Sequence, residues 1–131
     1  MPRVFTPVDI SLEEKEARRD YFDRHTPVII CEPNARQGKK FKVKVRMGTE
    51  YPHPDDADHF ISYIQLWNRE TMLAEARFAP GSQGHQSEHV EVDFYIVPGP
   101  VSMNLSAMAV CTKHGLWQSE SREVAISKDE P

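Results

Sequence analysis

Cysteine is scarce in this chain. Cys31 and Cys111 are the two in 131 residues, so at most one disulfide can form and a disulfide-stapled secreted scaffold is ruled out. Long apolar runs are missing as well: nothing approaches the roughly 18 residues of a membrane-spanning helix. The opening segment Met1-Pro2-Arg3-Val4-Phe5-Thr6-Pro7 has no apolar core of a secretion signal, and a cytoplasmic location is the expectation. Positive charge is in deficit, with a formal net charge of -4. Together with the lack of a basic stripe with interleaved aromatics, this argues against a nucleic-acid partner. There is no phosphate loop, dinucleotide fingerprint, His-Glu-x-x-His motif, internal repeat or low-complexity tract.

What is present reads as one all-β unit. Phe41, Val43, Val45 and Met47 alternate with Lys42, Lys44 and Arg46, the period-two pattern of a half-buried strand. Further strands are expected at Val28 to Cys31, Phe60 to Trp67, Met72 to Phe78, Val90 to Val97, Leu105 to Val110 and Gln118 to Ile126. Turn clusters rich in proline and glycine separate them, and Pro33-Asn34 to Gly38 reads as a turn. About seven short strands argue for an antiparallel sandwich or barrel. Ser11-Leu12-Glu13-Glu14 has the form of a capping box, so a short helix is expected from about Leu12 to Tyr21. The expected division is an N-terminal extension over residues 1–22 and a folded domain over 23–131.

The chemistry gathers around Cys111-Thr112-Lys113-His114-Gly115-Leu116-Trp117, where a thiol and an imidazole lie three residues apart. Gly115 suits a tight turn, and the amides of Thr112 and Lys113 are expected to point back at the sulfur. Alone, this pattern fits a buried Cys beside a surface His equally well. Three further histidines could complete a metal site: His25, and the pair His53 and His59 within Tyr51-Pro52-His53-Pro54-Asp55-Asp56-Ala57-Asp58-His59. Pro52 and Pro54 hold His53 on a stiff loop. Four imidazoles and a thiolate exceed the four-coordinate set of structural zinc and suit a redox-active metal. Cys31 sits in an apolar run and reads as core. His85 and His89 fall among Pro80, Gly81 and Gly84 and read as solvated loop residues.

In chain order these segments resemble the superoxide reductases, desulfoferrodoxin and neelaredoxin. That family takes its ligands from a Glu-Lys-His-x-Pro motif, a His-Pro-x-x-x-x-His motif and a Cys-Asn-x-His-Gly-Leu-Trp motif. The resemblance runs from about Asp23 to Trp117. It implies an immunoglobulin-like β-sandwich with a mononuclear non-haem iron (Fe2+/Fe3+) on His25, His53, His59 and His114, an axial Cys111 and an open sixth position. It further implies one-electron reduction of superoxide to hydrogen peroxide, an external donor such as rubredoxin, and assembly as a homo-oligomer, dimer or tetramer. No Cys-x-x-Cys pair precedes His25, so the one-iron type is implied. Asp23 and Arg24 stand where the family has Glu and Lys. Asp23 is one methylene shorter than the Glu that ligates the resting iron; Arg24, seconded by Lys113, is expected to attract the anionic substrate without donating a proton. The alternative from another class is a non-enzymatic β-sandwich binding protein related to sulfur-oxidation carrier proteins, with the ligands incidental.

Overall fold

The alternation from Phe41 to Met47 builds the middle of the molecule. The structure, a computed structural model, describes residues 18–128. Among them are one helix, α1 (Arg19–His25), and nine strands: β1 (Pro27–Ile30), β2 (Asn34–Arg36), β3 (Phe41–Met47), β4 (Ile61–Asn68), β5 (Thr71–Arg77), β6 (Glu91–Ile96), β7 (Met103–Cys111), β8 (Gly115–Gln118) and β9 (Arg122–Ser127). One sheet has the order β1-β3-β6, and the other β2-β9-β7-β4-β5 with β8 also on β7. The sheets face each other as the expected immunoglobulin-like sandwich. Val43, Val45 and Met47 of β3 meet Ile64, Leu66, Leu105, Ala107 and Val124 in the core. At roughly 1.5–3 kcal/mol for each fully buried large side chain, this apolar layer dominates what holds the sheets together.

β7 is the strand on which the second sheet turns. One edge pairs with β4, and the other pairs first with β9 over Met103–Leu105 and then with β8 over Met108–Cys111. The last strand, expected to be continuous from Gln118, is therefore two. The chain bends at buried Ser119, whose hydroxyl accepts from the Ala107 amide at 2.8 Å. Asn34–Arg36, expected in a turn, instead runs parallel to Ala125–Ser127. Most of the expected helix lies outside the described residues. The helix that is described runs on to His25, past the residue 22/23 boundary expected between extension and domain. It stops at Thr26, because Pro27 forces its predecessor into extended angles. Among the described residues no helix is long and apolar enough to cross a membrane.

Candidate metal centre

Five side chains converge at one end of the sandwich, each brought there by a local feature. Leu105, Ala107, Ala109 and Cys111 alternate along β7 toward the core, so Cys111 is the last inward position of that row and its sulfur is buried. A three-residue turn follows, closed by the Cys111–Gly115 pair at a glycine with φ of +81°, and His114 stands on it, exposed. Ile61 pairs with Cys111, which puts the segment before β4 beside the sulfur. Within that segment Asp56 and His59 exchange backbone hydrogen bonds of 2.9 and 3.1 Å, folding His59 back toward His53. His25 comes from the last turn of α1.

The four imidazoles form a closed square. Neighbouring ring centroids are 4.8 Å apart for His25–His53, 4.9 Å for His53–His59, 5.1 Å for His59–His114 and 4.8 Å for His25–His114, with adjacent planes at 70–85°. Cys111 Sγ lies 3.2 Å from His53 Nε2 and 3.6 Å from His114 Nδ1. Those two rings are opposite corners, so the sulfur sits over the square and not at its edge. Ligand atoms of His25, His59, Cys111 and His114 all lie within 4.8 Å of one another, and among the described residues no carboxylate joins them.

Tautomers are set from outside the square. His25 Nδ1 donates to Tyr21 O at 2.6 Å and His53 Nδ1 donates to Pro54 O at 2.6 Å, leaving each Nε2 lone pair facing inward. His59 Nε2 is buried with no hydrogen-bond partner. Converging lone pairs, an orphaned buried nitrogen and a thiol are a donor set that fits a borderline transition-metal cation. Trp117 stacks on His25 at 4.9 Å and 19°, and its indole donates to His114 O at 3.0 Å. Tyr21 lies edge-on to His114.

Electrostatics disfavour protonation of three of the imidazoles. Burial pushes His25 down to about 4 and His53 to about 3, and also lowers His59; the charge of Arg24 acts in the same direction on all three. In the unfolded chain these groups titrate near 6.5. Between those values the unfolded state holds more protons, so stability is complete above about 6.5 and falls as pH drops through 4 toward 3. The metal-free protein should therefore show a denaturation midpoint that declines from pH 6.5 downward, beginning where most carboxylates are still ionised. A midpoint constant from pH 7 to 5 would contradict this.

The other expected site residues have mixed placements. Arg24 is half-buried, with its Nη1 3.8 Å from Asp20 and its Nε without a partner. Lys113 is exposed and 3.8 Å from Asp58. Asp23 faces away into the turn at residues 48–51, where its carboxylate accepts from Thr49 Oγ1 at 2.7 Å and from the amides of Glu50 and Tyr51, each at 2.9 Å. Burial raises its pKa, but those hydrogen bonds outweigh burial and leave it below the ordinary value. The hydrogen bond expected from the Thr112 amide to sulfur is not made, because Thr112 N donates to Phe60 O at 3.0 Å. His85 is exposed as expected; His89 is half-buried and bonds Met47 O through Nδ1 at 2.9 Å. Three residues of the surroundings escaped the sequence reading. Tyr21 could have been found from its i, i+4 spacing to His25 on a helix, and Trp117 from its place in the Cys111 motif. Asp55, buried and accepting from the amides of Gly81 and Gln83, carries no local signal.

Comparison with known proteins accords with this geometry. The family model described as Desulfoferrodoxin matches residues 13–120. The superoxide reductase of Thermococcus kodakarensis is 32% identical over 105 residues, covering 75% of this chain and 85% of that protein. That of Pyrococcus furiosus is 29% identical over 110 residues, covering 75% and 86%. Among solved structures, the superoxide reductase (neelaredoxin) of Ignicoccus hospitalis superposes with a TM-score of 0.69 at 27% identity, covering 88% of this chain and 93% of that one. With its five donors closing on one point at the end of the sandwich, this chain belongs to the desulfoferrodoxin family.

Proposed function

We propose that the protein is a superoxide reductase, an enzyme that adds one electron and two protons to superoxide to give hydrogen peroxide. The observation that carries this reading is the square of four imidazoles with Cys111 Sγ over it. The residues that would hold the metal are His25, His53 and His59 through Nε2, His114 through Nδ1, and Cys111 through sulfur. Iron bound there would supply reversible one-electron chemistry, with the thiolate as a strong electron donor behind it. The reading as an incidental set of histidines on a binding module is not favoured, since such histidines would not close a square with a common focus.

The chain's own groups supply the rest. Buried His25, His53 and Cys111 exclude water from the inner side, while exposed His114 leaves the approach on the outer side. Arg24 is close enough to depress proton affinity at three of the imidazoles, so its guanidinium acts where an anion would arrive. A guanidinium is not a proton donor near neutral pH, and in this reading water supplies the product's protons. A donor such as rubredoxin, a homo-oligomeric state and a cytoplasmic setting belong to the same proposal. The last draws support from Cys31 and Cys111, both free thiols, since a thiol kept for a metal suits a reducing compartment.

The test is to purify the protein without added metal, measure bound iron, and mix the reduced protein with superoxide. Peroxide should form with no oxygen; one oxygen per two superoxides would make it a dismutase, and no bound iron would remove the reading altogether. Within that experiment Arg24→Ala should slow the superoxide step by roughly tenfold at low salt and remove most of its ionic-strength dependence. Adding Lys113→Ala should give a smaller further loss, because that ammonium is more exposed than Arg24 and better screened by solvent. Product release should be little changed in Arg24→Ala. An unchanged first step with slowed release would move Arg24 from steering to proton delivery.

A further inference from the structure

The turn Gly48-Thr49-Glu50-Tyr51 wraps one carboxylate. Asp23 Oδ1 accepts from Thr49 N at 3.0 Å and Thr49 Oγ1 at 2.7 Å, while Oδ2 accepts from Thr49 N at 3.2 Å and from Glu50 N and Tyr51 N at 2.9 Å. A second, independent feature has the same purpose. Gly48 has a φ of +79°, and a Cβ there would lie 2.8 Å from Asp23 O, 2.9 Å from Tyr51 O and 3.2 Å from Asp23 Oδ2. Its amide donates to Thr26 O at 3.0 Å. The end of α1 is thus knitted to the turn that leads through Pro52 into His53.

We propose that Asp23 is a positioning residue, and that its carboxylate holds the helix carrying His25 against the loop carrying His53 instead of supplying a ligand to the metal. This rests on the reading of the five-donor site given above. Both oxygens are committed to a turn that donates four protons to them, so turning the carboxylate toward the square would strand three amides and a hydroxyl. The short side chain matters here: an extra methylene would push the carboxylate into the turn or away from it. Asp23 therefore sets the separation between two corners of the square, and among the described residues no carboxylate joins the donor cluster.

Three readouts test this, two of them independent of iron. In the metal-free protein, Asp23→Ala should speed amide hydrogen exchange at Thr49, Glu50 and Tyr51 by about tenfold or more, the order expected for lost charge-assisted hydrogen bonds. Asp23→Asn should retain most of the protection, since its carbonyl can take the place of Oδ2 while its NH2 donates to Thr49 Oγ1. Affinity for Co2+, used as a probe metal, should fall severalfold in Asp23→Ala and recover in Asp23→Asn. The visible band of the iron-loaded, oxidised protein should keep its position in Asp23→Asn. A shifted band in Asp23→Asn with undisturbed exchange in Asp23→Ala would make Asp23 a ligand and overturn the proposal. Should the wild-type protein take up no iron, the metal reading fails while the exchange result still decides whether Asp23 clasps the turn.

Discussion

Cys111→Ser should abolish the visible absorption of the iron-loaded, oxidised protein, and Cys31→Ser should leave it intact. Such a band needs a thiolate bonded to the metal, and Cys111 alone has its sulfur over the imidazole square, 3.2 Å from His53 Nε2. Serine offers a hydroxyl that remains protonated near neutral pH, so the soft anionic donor is lost outright. Cys31 differs in two ways. Burial raises its thiol pKa above the ordinary value despite the opposing effect of Arg122, and the same guanidinium donates to its backbone carbonyl at 2.7 Å. Absorption spectra of the two variants after iron loading and oxidation decide the matter. Loss of the band in Cys31→Ser with its survival in Cys111→Ser would reassign the sulfur.

Gly48→Ala should destabilise the protein more than any other glycine-to-alanine change at a positive φ. The backbone conformation alone costs a non-glycine residue about 1–2 kcal/mol. Here the added methyl would also meet two backbone oxygens closer than 3.0 Å, and neither can swing aside as a side-chain end would. Forced displacement in a packed site adds roughly 1–3 kcal/mol, a large share of the roughly 5–15 kcal/mol that holds a domain folded. Gly38→Ala is the matched control, with a φ of +78° and nothing within 4 Å of the added carbon. Thermal melts of the metal-free proteins should place Gly48→Ala well below Gly38→Ala. Equal melting midpoints would mean that the turn has room and that its hold on Asp23 is loose.

Features encoded within a few residues were legible in the sequence. The alternation from Phe41 to Met47 marks β3 at its observed bounds, because a period-two pattern needs no knowledge of what lies opposite. The spacings His53 to His59 and Cys111 to His114 were readable for the same reason: each pair is closed by its own turn. Pairings that depend on distant chain were not legible. Asn34–Arg36 looks like a turn until Ala125–Ser127 arrives beside it, and the break between β8 and β9 exists because Ser119 is captured by Ala107, twelve residues earlier. Asp23 carries the same lesson for the site. Its neighbours in sequence suggest a place at the metal, whereas its hydrogen-bond partners lie twenty-six to twenty-eight residues further on.

The square is assembled from both ends of the described chain, with His25 and His114 meeting across 89 intervening steps. During synthesis His25, His53 and His59 leave the ribosome first, and of the five converging donors only these three imidazoles are present before Cys111 is made. Three histidines without a thiolate are a set that zinc accepts readily. Sulfur enters last, when β7 pairs with β4 and the hairpin to β8 closes, and such non-local strand pairing is slow compared with local turns. On the proposed reading, the thiolate therefore completes the donor set only when that hairpin has closed.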